Sequence, residues 1–130
     1  MPSIFSKIAN GEIPCYKIAE DESFMAFLDI QPIAKGHILV IPKKEIDYIF
    51  DLSDEVLASF HIFSKKIAVA LKKTIPCQRI GVAVVGIEVP HAHIHLIPIN
   101  RMSDFNFSAK RLSLPKEEME NLAIQIKKNI

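Results

Sequence analysis

The sequence predicts an α+β sandwich. Three observations carry that prediction: five short apolar runs of strand character lie mostly beside one another along the chain, one long stretch repeats its apolar residues at helical spacing, and a second such stretch comes last. With 130 residues, 49% hydrophobic and 24% charged, the chain has the size of one domain with a real core, and a single domain over residues 1–130 is expected.

Phe5, Ile8 and Ala9 sit at helical spacing with Gly11 just beyond, which predicts a short opening helix. Residues 15–20 and 24–28 read as two strands joined by the acidic turn Asp21-Glu22, and Asp29 stands where the second strand ends. The segment 30–36 holds Pro32 and Gly36 and should be a loop, followed by a mostly apolar strand over 37–42. Ser53 is a candidate N-cap with Asp54 and Glu55 in the first turn. Val56, Phe60, Phe63, Ile67 and Leu71 then mark the longest helix, which ends on Lys72 and Lys73 at its negative pole. Residues 79–85 and 91–97 are two further strands, separated by a connection short enough for an antiparallel pair. After a polar, Ser- and Asn-containing stretch, Pro115 opens a last helix over about 115–129, with Leu122, Ile126 and Ile130 on one stripe.

Charge and cysteine content narrow the function. Sixteen basic and fifteen acidic residues give a formal charge of +1, so no broad attraction to nucleic acid or anionic lipid is expected, and phosphate recognition must be local. No run of eighteen apolar residues occurs, so no membrane span is expected. Cys15 and Cys77 fit no paired metal spacing and read as reduced structural thiols. With an opening that lacks a signal-peptide pattern, they point to a cytoplasmic protein.

Three of the five histidines are His91, His93 and His95. In a strand that spacing turns all three imidazoles to one face, while Ala92, Ile94 and Leu96 take the other. A merely solvated strand face would be built from Thr, Lys, Glu or Gln. Two functional readings remain open from the residues alone. Alternate imidazoles can bind zinc, although this stretch has no nearby carboxylate or cysteine to complete the set. Alternatively, one neutral imidazole attacks phosphorus while its neighbours stabilise the phosphate oxygens and the leaving group.

The run His91-Ala92-His93-Ile94-His95-Leu96-Ile97 matches the histidine-triad signature, histidines alternating with apolar residues, at every position. Phe5, Lys7-Ile8, Glu12-Ile13-Pro14, Phe27-Leu28-Asp29-Ile30, Pro32 and the stretch from His37 through Lys44 resemble the N-terminal half of the Hint branch of that family. The resemblance covers residues 3–100 or so and leaves out the C-terminal helix. It implies a histidine triad (HIT) fold: a five-stranded antiparallel sheet with one long helix and shorter terminal helices. It also implies a homodimer whose two sheets join, for which the apolar run 82–85 would suit a buried interface.

By the same resemblance the protein binds a purine mononucleotide and hydrolyses nucleoside phosphoramidates or related nucleotidyl conjugates, without a cofactor. His93 would be the nucleophile of a nucleotidyl-histidine intermediate, His95 would contact the phosphate or leaving group, His91 would orient His93, and His37 would stand near them. Asp29 would accept hydrogen bonds from the ribose hydroxyls, as an acceptor-only carboxylate can. Phe5, Ile8, Ile13, Ile30 and Leu39 would wall the base. A dinucleoside polyphosphate hydrolase, or a nucleotide-binding regulator with weak catalysis, are the alternatives.

Two departures from relatives stand out. Many carry Cys-x-x-Cys near the start, where this chain has Ser3-Ile4-Phe5-Ser6, so no structural zinc is expected. The loop before the triad is reduced to Gly86-Ile87-Glu88-Val89-Pro90 and lacks the side chains with which relatives hold phosphate. Glu88 and the backbone of this loop, Val89 included, are the nucleotide contacts it could still provide.

Overall fold

The computed structural model describes residues 2–130, and these form one five-stranded sheet with helices on both faces. In chain order the elements are α1 (Ile4–Ala9), β1 (Lys17–Glu20), β2 (Phe24–Leu28), β3 (Ile38–Pro42), α2 (Asp54–Thr74), β4 (Arg79–Ala83), β5 (Ile94–Ile99) and α3 (Lys116–Lys128), with single 3-10 turns over Ile49–Asp51 and Met102–Asp104. The strand order is β1-β2-β3-β5-β4, and every neighbouring pair is antiparallel. The α+β reading of the sequence therefore describes the molecule, with all five strands and all three helices in place.

The local chemistry explains these elements. Ser53 Oγ accepts from the Val56 amide at 3.2 Å and starts α2, whose N-terminal carboxylates and C-terminal lysines both oppose its dipole. The buried stripe of α2 is Phe60, Ser64, Ile67, Ala70 and Leu71, not the one expected from its larger residues: Val56 is exposed and Phe63 only half-buried. Ser64 can enter the stripe because its hydroxyl donates to the Phe60 carbonyl at 2.9 Å, which removes the cost of burying it. In α3, Met119, Leu122, Ala123 and Ile126 are buried, while Ile130 lies beyond the helix and is exposed.

The central strands are buried on both faces, so they read as continuous apolar runs. Phe24, Ala26, Leu28, Ile38, Val40, Ile94 and Leu96 meet α2 and α3 in the main core. Met25, Phe27, Leu39 and Ile41 point to the opposite face and are covered by Phe5, the buried residue of α1. Cross-strand register places Phe27, Leu39, His95 and Ala83 in one row across that second face.

Strand ends differ from expectation at three places. β1 starts at Lys17 rather than 15, with a register irregularity between Lys17 and Ala19. β4 stops at Ala83 rather than 85. β5 spans Ile94–Ile99, so His91 and His93 precede the strand expected over 91–97. The reason is loss of partners: β3 last meets β5 at Val40 and Ile94, and β4 last meets it at Ala83 and His95. Beyond that point the Ala92 amide turns instead to the Ile46 carbonyl at 2.7 Å.

Candidate active site

On the α1 side of the sheet a cavity of about 590 Å³ opens over the row that contains Leu39 and His95. Its floor and walls include His93, His95, Asp29, Phe5 and Leu39, and its rim includes Ile30, Glu88 and Val89. The structure thus brings together eight of the residues expected from the sequence. Four others do not line it: His37 and His91 are buried beside the triad pair, and Ile8 and Ile13 miss the cavity altogether. Ile8 lies one helical turn further along α1 and packs against the second core, and the half-buried Ile13 follows the Gly11 turn that carries the chain away; their neighbour Ile4 lines the cavity instead.

The triad does not project as three equivalent rings. His93 and His95 face one another edge-on with ring centroids 4.8 Å apart, whereas His91 is fully buried behind them and does not reach the cavity. His91 is bound at both nitrogens: Nε2 donates to the Pro42 carbonyl at 2.7 Å, and Nδ1 meets Ser3 Oγ at 2.8 Å. Its link to His93 runs through the backbone, because His93 Nδ1 donates to the His91 carbonyl at 2.7 Å. Phe5 packs edge-on against His93 at 4.9 Å between centroids.

These contacts settle where each proton sits when the rings are neutral. A carbonyl can only accept, so His93 carries its hydrogen on Nδ1 and leaves a lone pair on Nε2. His37 Nδ1 receives the Ile33 amide at 3.2 Å, so its hydrogen is on Nε2, which donates to His95 Nδ1 at 2.9 Å. His95 then keeps its own hydrogen on Nε2. One face of the pair is thus a free base and the other a donor.

Burial keeps all three rings neutral. It pushes His37 down to about 3, helped by the repulsion that a second proton on His95 would meet and by the Arg111 charge, and pushes His95 down to about 4, with the same kind of repulsion from His93 and the Arg111 charge adding to the effect. His93 is also lowered by burial, against a smaller upward pull from its bond to the His91 carbonyl. Asp29 is raised by burial, although the Gln31 amide at 2.9 Å and the Arg111 charge oppose the rise.

Asp29, His37 and His95 each place a potential ligand atom within 4.8 Å of the others, so the carboxylate that seemed missing beside the histidines is supplied by Asp29. A cation there would have to displace the hydrogen shared between His37 and His95. At the start of the chain, Ser3 and Ser6 do not suit zinc. Their hydroxyls are engaged: Ser3 Oγ accepts from the Ser6 amide at 3.0 Å and contacts His91 Nδ1, and Ser6 Oγ donates to Glu45 at 2.7 Å. Glu45 also accepts from the Ser3 amide, and these bonds hold its carboxyl down at about 2.

Two further residues come from the segment after β5, which the sequence marked only as polar. Phe107 stands edge-on to His95 at 4.8 Å between centroids, and Arg111 lines the cavity beside Asp29. The sequence carried a faint signal in two alternating aromatics, Phe105 and Phe107, yet nothing local told which surface they would cover.

A family model described as HIT domain matches residues 10–102. This chain belongs to the HIT domain family. It is 37% identical over 135 residues to an uncharacterised HIT-like protein of Borreliella burgdorferi, an alignment that covers 98% of this chain and 97% of that one. It is 42% identical over 100 residues to the adenosine 5′-monophosphoramidase of Schizosaccharomyces pombe, which covers 75% of this chain and 74% of the relative. Among solved structures, a HIT-like protein involved in cell-cycle regulation from Bartonella henselae superposes with a TM-score of 0.85 at 33% identity, over 98% of this chain and 96% of that one. The HIT match ends at residue 102, before Phe107 and Arg111.

Proposed function

We propose that this HIT protein hydrolyses nucleoside phosphoramidates or similar conjugates of a purine nucleoside monophosphate by double displacement at His93. The observation that carries the reading is the 2.7 Å bond from His93 Nδ1 to the His91 carbonyl, which leaves the Nε2 lone pair available in a cavity that also contains a carboxylate. The relative from S. pombe, named an adenosine 5′-monophosphoramidase, supports the substrate class.

In this reading Asp29 accepts the ribose hydroxyls, and Phe5, Leu39 and Ile30 wall the base. His93 Nε2 attacks phosphorus, the P–N bond breaks, and the leaving nitrogen takes a proton from solvent and departs as the amine, giving a nucleotidyl-histidine. Water then attacks the same phosphorus, the N–P bond to His93 breaks, and the nucleoside monophosphate is released. His95 donates from Nε2 to the phosphate or leaving group, and His37 keeps His95 in the required tautomer. His91 acts through its carbonyl, and Ser3 fixes its ring.

A homodimer is part of the proposal. β4 is an edge strand, and the run along and beyond it leaves Val82, Val85 and Ile87 at 57%, 51% and 84% exposure. Sedimentation of the purified protein at the monomer mass would remove the dimer without touching the chemistry. For the chemistry, the assay is turnover of an adenosine phosphoramidate by wild type and by His93→Ala. The reading predicts activity in the first and a loss of several orders of magnitude in the second; comparable turnover in both would refute it.

A further inference from the structure

The cavity poses an electrostatic problem for a nucleotide. Asp29 and Glu88 line it, His93 and His95 are neutral at pH 7, and the loop 86–90 presents the apolar side chains of Ile87 and Val89. A phosphate anion entering there would meet two carboxylates and, among the described lining residues, one permanent cation. That cation is Arg111.

Arg111 is held in place rather than loose in solvent. Its Nη1 donates to the Gln31 carbonyl at 2.9 Å and lies 3.8 Å from Asp29 Oδ2. The next residue, Leu112, donates from its amide to the Pro32 carbonyl at 2.8 Å, which ties the segment to the loop after Asp29. Further back, Phe107 packs on His95, and Phe105 packs on Phe107 at 5.5 Å between centroids. Phe105 also lies against Gly81, where a Cβ would come within 2.6 Å of its ring. The segment is therefore anchored at both ends, and its guanidinium keeps donors free, since one contact to Gln31 uses one of five N–H groups.

We propose that Arg111 is the residue that recognises the phosphate anion of the nucleotide, replacing the polar side chains absent from the loop 86–90. The inference rests on the nucleotide reading of the cavity. On binding, the ribose hydroxyls take the Asp29 oxygens, and Arg111 turns its remaining N–H groups from the 3.8 Å pairing with Asp29 to the non-bridging phosphate oxygens. The planar fork of a guanidinium suits two such oxygens at once.

Calorimetric titration with AMP and with adenosine separates phosphate recognition from simple bracing of Asp29. For wild type, AMP binds more tightly than adenosine. In Arg111→Gln, AMP binding weakens roughly 10- to 100-fold while adenosine changes by less than about 2-fold, as expected for loss of a charge-assisted hydrogen bond to the anion alone. Equal weakening of both ligands, or of neither, overturns the proposal. So does a wild type that binds the two equally. A wild type that binds neither removes the nucleotide reading itself and this inference with it. Arg111→Lys, which keeps the charge and the bulk, serves if the glutamine variant does not fold: a several-fold lower AMP-to-adenosine preference supports the fork, and an unchanged preference contradicts it.

Discussion

Replacing Ser3 by alanine tests how the opening helix and the triad are joined. Ser3 is 5% exposed, and its Oγ makes two short contacts besides a long one to Ser6 Oγ at 3.4 Å: it accepts from the Ser6 amide at 3.0 Å as the N-cap of α1, and it meets His91 Nδ1 at 2.8 Å. Loss of the cap costs about 1 kcal/mol. The second loss is larger, because His91 is fully buried and its Nδ1 would be left without its close partner, at about 1–3 kcal/mol. Ser6 Oγ is 3.4 Å from the same nitrogen, too far to substitute fully. The sum is about 2–4 kcal/mol, which for a domain of this size lowers the melting temperature by on the order of 10 °C. Urea denaturation of Ser3→Ala and Ser6→Ala side by side is the assay. Ser6→Ala removes only a half-exposed hydroxyl bonded to exposed Glu45 and should lie within about 0.5 kcal/mol of wild type. A Ser3→Ala protein as stable as Ser6→Ala would refute the account of how His91 is held.

Two other expectations concern pH and packing. Because burial lowers His93 below its ordinary 6.5, the nucleophile stays unprotonated at pH 6.5 and above. The acid limb of kcat/KM should therefore begin below pH 6.5, and an inflection at or above that value would show that His93 is not the titrating base. At Gly81, alanine would place its Cβ 2.6 Å from the Phe105 ring and force that ring away. Gly81→Ala should cost about 1–3 kcal/mol in denaturation and weaken AMP binding through Phe107; unchanged stability would mean that the segment after β5 is not fixed by this contact.

Much of this molecule was legible in the sequence because periodicity and punctuation agreed. Ser53, the apolar spacing to Leu71 and the two terminal lysines all point to one helix, and α2 spans Asp54–Thr74. Asp29 and the histidine motif were found through composition and resemblance, and they meet in the cavity. What the sequence hid was set by tertiary partners. Alternation alone suggested that His91, His93 and His95 share one strand face, but β5 ends where its neighbours do, and the lead-in bends His91 away into a buried hydrogen-bonded niche. Ser3 and Ser6 were readable as poor metal ligands, though not as the hydroxyls that surround His91. Glu45 carries no local signal at all. Arg111 escaped for a related reason: residues 105–112 have neither helical nor strand period, and their role depends on where Gly81 and Gln31 lie in the fold.

The most direct measurement is a search for the covalent intermediate. Wild-type protein mixed rapidly with an adenosine phosphoramidate and quenched in base, where a phosphohistidine-type N–P bond survives, is digested and examined by mass spectrometry. The account predicts an adenylyl group on the peptide that contains residues 91–97, located at His93, and no adduct in His93→Ala. Turnover with no adduct on that peptide, or an adduct on another residue, would contradict it.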